Sequence, residues 1–118
     1  MERRKDRRFR GEDGAFVSVS PCDNKFWQII DISRGGLSFR YIPQAVDLDK
    51  ASELDLITRD ALFSLEKIPF KSVSDCEIAD QCPSNYQVKR HGVQFGELMD
   101  NQISQLEYFI QKNTVAEL

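Results

Sequence analysis

The sequence is short of the residues that enzymes and metal sites most often need. It has one histidine, His91, and three cysteines, Cys22, Cys76 and Cys82, with no CxxC spacing among them. That set offers no convincing zinc site and no Ser/His or Cys/His arrangement with supporting spacing. An odd number of cysteines without a secretory signal reads as reduced, mostly structural thiols. No glycine-rich loop leads into a helix, so the usual phosphate-cradling hydrolase motif is missing as well. No apolar run approaches the length of a membrane span, and the arginine-rich N-terminus has no apolar core behind it. Neither a signal peptide nor an anchor is expected. These gaps point to a non-enzymatic, cytoplasmic protein without a metal or a cofactor.

What is present suits one soluble globular domain: 118 residues, 41% hydrophobic and 30% charged. The net charge of −3 hides an uneven distribution. Residues 1–10 hold six basic and two acidic side chains, whereas the remainder holds ten basic and seventeen acidic ones. An acidic body with a basic arm is poorly suited to coating duplex DNA, which takes many phosphate contacts. A small, highly charged anion matches so confined a cluster better.

Residues 1–14 read as a flexible basic arm with almost no apolar content, and residues 15–118 as the folded body. Ala15, Val17 and Val19 alternate with Phe16, Ser18 and Ser20, then Pro21-Cys22-Asp23-Asn24 breaks the run as a turn. Lys25 to Ile32 is β-branched and aromatic, and Leu37, Phe39 and Tyr41 alternate with Ser38 and Arg40. The two runs predict a hairpin connected through Asp31 to Gly36. Residues 43–53 read as a loop. Leu54 to Ile57, Leu62 to Ile68, Phe70 to Cys76 and Tyr86 to Phe95 carry further strand patterns, with a turn-rich connection over residues 79–85. Short strands separated by turn signals favour a small closed antiparallel barrel, which also removes exposed edges. Near the C-terminus the period switches. Met99, Ile103, Leu106 and Ile110 fall at helical spacing, predicting a helix over about residues 99–113, capped by Asp100 or Asn101 and packed by that stripe.

Two clusters carry chemistry. Arg4 and Arg8 are four positions apart, and a guanidinium fork can bond two phosphate oxygens or the O6 and N7 of guanine. Arg3 and Arg7 match the same spacing; Arg4/Arg8 is preferred because Phe9 then follows and can dock the arm. Arg3 adds charge and a stacking surface beside the motif, and Arg10 and Arg34 are peripheral. In the second cluster, Asp31 can accept from the N1–H and exocyclic amine of guanine, and Ser33 can give or take one hydrogen bond. Gly35 and Gly36 permit backbone angles or a close approach that a side chain would block. Each cluster has a plainer reading, a solvated basic tail and an ordinary hairpin turn. Trp27 reads as core or half-buried packing, and His91 as a surface strand histidine rather than a lining of the ligand's far side.

Arg4-Lys5-Asp6-Arg7-Arg8 followed by Asp31-Ile32-Ser33-Arg34-Gly35-Gly36 resembles the two signatures of the PilZ domain family, bacterial receptors for cyclic di-GMP. Arg90-His91-Gly92-Val93-Gln94-Phe95 looks like that family's late Gly-Val-x-Phe strand. The resemblance covers nearly the whole chain and implies a six-stranded antiparallel β-barrel with a C-terminal α-helix. It also implies that Arg4 and Arg8 bind the phosphates and guanine faces, and that Asp31, Ser33 and Gly36 engage a guanine edge. Arm ordering on ligand binding would then signal to an unidentified downstream protein, with a homodimer left open. The competing readings are a single-stranded nucleic-acid-binding barrel, stacking bases on Trp27 and Phe39, and a ligand-independent protein-interaction module.

Overall fold

The apolar alternation of the body becomes strands wherever it runs for six residues or so. In the computed structural model, which describes residues 7–20, 25–60, 63–78 and 87–118, the elements are β1 (Phe9–Gly11), β2 (Ala15–Ser20), β3 (Trp27–Ile32), β4 (Gly36–Tyr41), β5 (Glu53–Thr58), β6 (Ser64–Glu77), β7 (Lys89–Phe95), α1 (Asp100–Lys112) and β8 (Thr114–Glu117). Two 3-10 turns, Pro43–Ala45 and Leu48–Lys50, lie in the loop between β4 and β5. Along β2 the buried residues are Ala15, Val17 and Val19, as a strand with one face on the core requires.

All pairings are antiparallel. The order β2-β5-β6-β7-β4-β3 closes on itself through a β2–β3 pairing, so six strands form a barrel. The 14 residues of β6 span two neighbours: its first half pairs with β5 and its second, from Phe70, with β7. Inside the barrel lie Val17, Ile29, Phe39, Leu54, Leu56, Ile68 and Val93, all at most 2% exposed. The helix covers one end with Leu106, Phe109 and Ile110, and Phe109 stacks at a tilt on Phe63, ring centroids 5.7 Å apart.

Three local expectations are corrected. Residues 9–11, assigned to the arm, form β1, which pairs with the end of β3 (Phe9↔Ile32, Arg10↔Asp31). Its other neighbour is β8, a strand with no periodic apolar signal, which returns from the helix to pair Phe9 with Glu117 and Arg10 with Ala116. Backbone bonds from Leu118 N to Arg8 O (2.8 Å) and from Glu12 N to Asn113 O (3.0 Å) bracket this ladder. Second, Met99 is 66% exposed and is not part of the packed stripe; Phe109 takes a buried place instead. Third, neither Asp100 nor Asn101 caps the helix. Met99 occupies that position, and its N–H donates to the Gln102 side chain at 2.9 Å.

Candidate functional site

The end of β3 projects Asp31 onto the outer face of the sheet. Across three neighbouring strands its row continues through Ser38, Gly92 and Ser74, because Asp31 pairs with Ser38, Ser38 with Gly92, and Gly92 with Ser74. Arg90, two residues from Gly92 along β7, shares that face and is paired with Arg40 of β4. Although it faces outward, Asp31 is only 3% exposed. An isolated carboxylate so buried would be strongly destabilising, and its partners show how the charge is held.

Asp31 Oδ1 accepts from Arg8 Nη1 at 2.7 Å and from the Ser38 hydroxyl at 3.0 Å, and Oδ2 accepts from Arg90 Nη2 at 2.5 Å. Two guanidiniums from opposite ends of the sequence therefore meet on one carboxylate. Arg40 stands beside Arg90 as a directly opposed like charge, which is unfavourable in a sheet unless an anion is shared. With Arg10 of β1 directly opposite Asp31 in the ladder, the local balance is four guanidiniums to one carboxylate.

The hairpin turn is closed by Ser33 N–H donating to Gly36 O at 2.8 Å. The Ser33 hydroxyl also donates to Gly36 O (3.3 Å) and accepts from Gly35 N (3.2 Å), so it is engaged in building the turn. Gly35 O accepts from Phe95 N at 2.9 Å, which fastens the turn to β7. Of the two reasons for glycine here, close approach is the one the structure uses. A β-carbon on Gly36 would lie 2.2 Å from Val93 O, and no described glycine has positive φ.

Arg8, rather than Arg7, reaches Asp31. Arg7 is exposed and pairs loosely with Glu117 at 3.5 Å. Arg34 leaves the turn to pair with Glu107 of the helix at 3.0 Å. Arg3 and Arg4 lie outside the described residues. Cys76 is an exposed free thiol on β6, and Cys22 and Cys82 are likewise outside the described residues.

The reading of His91 as a surface residue is corrected. It is 5% exposed and points into the barrel, where Nε2 lies 2.7 Å from Ser72 Oγ and the ring packs on Phe39 and Tyr41. Burial lowers its pKa below the usual 6.5, although Asp75, 3.8 Å from Nδ1, works in the other direction. Asp75 also accepts from the Tyr41 hydroxyl at 2.8 Å, and burial together with this carboxylate pushes the Tyr41 phenol well up. Phe39 is fully buried, which removes it as a platform for stacked bases, and Trp27 is half-buried edge-on to Tyr41.

Sequence reasoning missed Arg90, Ser38 and Arg40 as members of this face. The available signal was the Arg90-His91-Gly92 stretch, but only the β4–β7 register brings it to Asp31. Among the described residues no group of histidine, cysteine and carboxylate side chains is placed to hold a metal, and no helix is long and apolar enough to cross a membrane.

No family model matches the sequence, and no curated protein matches it. Solved structures do. MrkH, described as a cyclic di-GMP-dependent transcription regulatory factor, superposes with a TM-score of 0.70 at 17% identity over 94% of this chain and 51% of that one. The K. pneumonia MrkH complex with cyclic di-GMP gives 0.69 at 18% identity, over 94% and 52%. This chain thus spans about half the length of either MrkH chain. The PilZ domain of YcgR from Escherichia coli, solved with cyclic di-GMP, gives 0.62 at 14% identity, over 95% and 92%. At such identities the likeness speaks for architecture: the chain has a PilZ-like fold, a closed six-stranded antiparallel barrel with a C-terminal helix.

Proposed function

We propose that this protein is a receptor for cyclic di-GMP that binds the dinucleotide between its N-terminal basic segment and the Asp31–Gly36 hairpin. The observation that carries the reading is the meeting of Arg8 with the buried Asp31 carboxylate. A guanine edge offers two donors to such a carboxylate and two acceptors to a guanidinium, and the ligand's two phosphates match the local cationic excess. Arg8 and Arg90 on the carboxylate itself, with Arg10 and Arg40 beside them in the ladders, supply that excess. The similar structures solved with this dinucleotide support the same choice of ligand.

In this reading Arg4 and Arg8 grip phosphates and guanine faces, Arg3 adds a further cation, and Asp31 reads the guanine edge. Ser33, Gly35 and Gly36 hold the turn that presents it. The basic segment folds over the ligand and becomes ordered there, offering a new surface to a downstream protein. The chemistry is binding without turnover. Calorimetry with cyclic di-GMP, GTP and cyclic di-AMP tests the assignment. Cyclic di-GMP should bind best, and affinity should fall with rising salt as exposed charges are screened. An Arg8→Ala variant that binds as tightly as the parent would end the proposal.

A further inference from the structure

The two arginines on Asp31 are held in unequal ways. Arg90 sits near the start of β7, paired to β4 on one side through Arg40 and to β6 on the other through Cys76. Its backbone cannot leave without opening the barrel. Arg8 precedes a three-residue strand at the margin of the sheet, outside the closed ring. The carboxylate divides its oxygens accordingly: Oδ2 serves Arg90, while Oδ1 serves Arg8 and the Ser38 hydroxyl.

Resting on the cyclic di-GMP reading, we propose that Arg90 is a positioning residue, the permanent counter-ion of Asp31, while Arg8 is an exchangeable stand-in for guanine. The Arg8 Nη1–H occupies Oδ1, an acceptor that the N1–H or exocyclic amine of guanine can take in its place. Binding is then an exchange. Guanine takes Oδ1, and the released guanidinium of Arg8 turns to the ligand's phosphates or to its O6 and N7. Throughout, Arg90 and Ser38 hold the carboxylate in one orientation. Release of Arg8 without a replacement donor would leave Oδ1 with the Ser38 hydroxyl alone, so the Arg8 guanidinium stays on the carboxylate until guanine arrives. Adenine lacks N–H donors in that arrangement and cannot complete the exchange.

A double-mutant cycle in binding tests the role. Cyclic di-GMP affinity is measured for the parent, Arg90→Met, Asp31→Asn and the double variant, with Arg90→Lys as the conservative replacement and Arg40→Met as a charge control. Thermal melts confirm folding; if Arg90→Met fails to fold, Arg90→Gln takes its place in the cycle. Arg90→Met should weaken binding by about tenfold or more, the loss of one charge-assisted hydrogen bond network. In the Asp31→Asn background the same change should matter by less than about twofold, because Arg90 acts through that carboxylate. Arg90→Lys should recover most of the affinity. Arg40→Met, which removes a cation without touching Asp31, should weaken binding equally in both backgrounds. An Arg90 effect of equal size in both backgrounds overturns the positioning role and leaves the ligand assignment standing. A parent that ignores cyclic di-GMP overturns both.

Discussion

The backbone carbonyl of Val93 lies so close to Gly36 that a β-carbon there would sit 2.2 Å from its oxygen. Two strands and the Asp31 hairpin are registered by this contact. Gly36→Ala should therefore destabilise the fold by about 1–3 kcal/mol, the usual range for forced overpacking, and should weaken ligand binding by displacing the turn. Gly14→Ala is the control, since its β-carbon would meet Arg59 Cβ at an ordinary 3.5 Å. Denaturant titration of both variants checks the contrast.

Asp31 and Arg7 both belong to ion pairs, with very different surroundings. Asp31→Asn removes the charge both guanidiniums share and replaces one acceptor oxygen by a donor amide, and should lower stability by about 1–3 kcal/mol. Arg7 and Glu117 are 77% and 48% exposed, so Arg7→Ala should change stability by less than about 1 kcal/mol. Equal losses in urea unfolding would contradict the structure.

Acid should weaken the fold partly through His91. Burial lowers its pKa in the folded state, so below about pH 6.5 the unfolded chain takes up the proton first. The stability held by the neutral ring is present above that pH and is lost as pH falls toward the lowered folded value. His91→Gln should flatten this part of a melting-temperature profile measured between pH 7.5 and 5. An unchanged slope would assign the acid sensitivity to other groups.

The helix divides its apolar residues between core and solvent. Phe109→Ala empties a fully buried position against Phe63 and should cost about 3–5 kcal/mol. Met99→Ala, at a 66% exposed position, should stay within about 0.5 kcal/mol of the parent. Thermal melts of the two variants are sufficient to rank them.

Deleting Thr114–Leu118 removes one of the two ladders that hold β1. Amide exchange at Phe9–Gly11 should then accelerate while β4 and β7 keep their protection. Exchange spreading through the whole barrel would mean that β8 supports the core.

The barrel strands were legible in the sequence because each buries one face, and alternation such as Ala15-Val17-Val19 or Leu37-Phe39-Tyr41 records that burial directly. The motif chemistry was legible for the same reason of locality: Asp31, Ser33 and Gly36 lie in one turn. Arg90 was hidden because its approach to Asp31 depends on the pairing of β3 with β4 and of β4 with β7, which no local pattern encodes. Strands β1 and β8 were hidden because Phe9–Gly11 and Thr114–Glu117 contribute little to the core. They exist as strands through backbone pairing with each other and with β3. Met99 misled because helical spacing was continued one turn beyond the surface the barrel offers.

Along one margin, β3 serves two neighbours in succession: Trp27 and Gln28 meet β2, and Asp31 and Ile32 meet β1. Closure of the ring uses only the first of these stretches. The segment bearing Arg8 is attached, like a shutter, to length the cylinder does not need for its own integrity. Detaching it would unmake two short ladders, those of β1 with β3 and with β8, and none of the six pairings that close the ring.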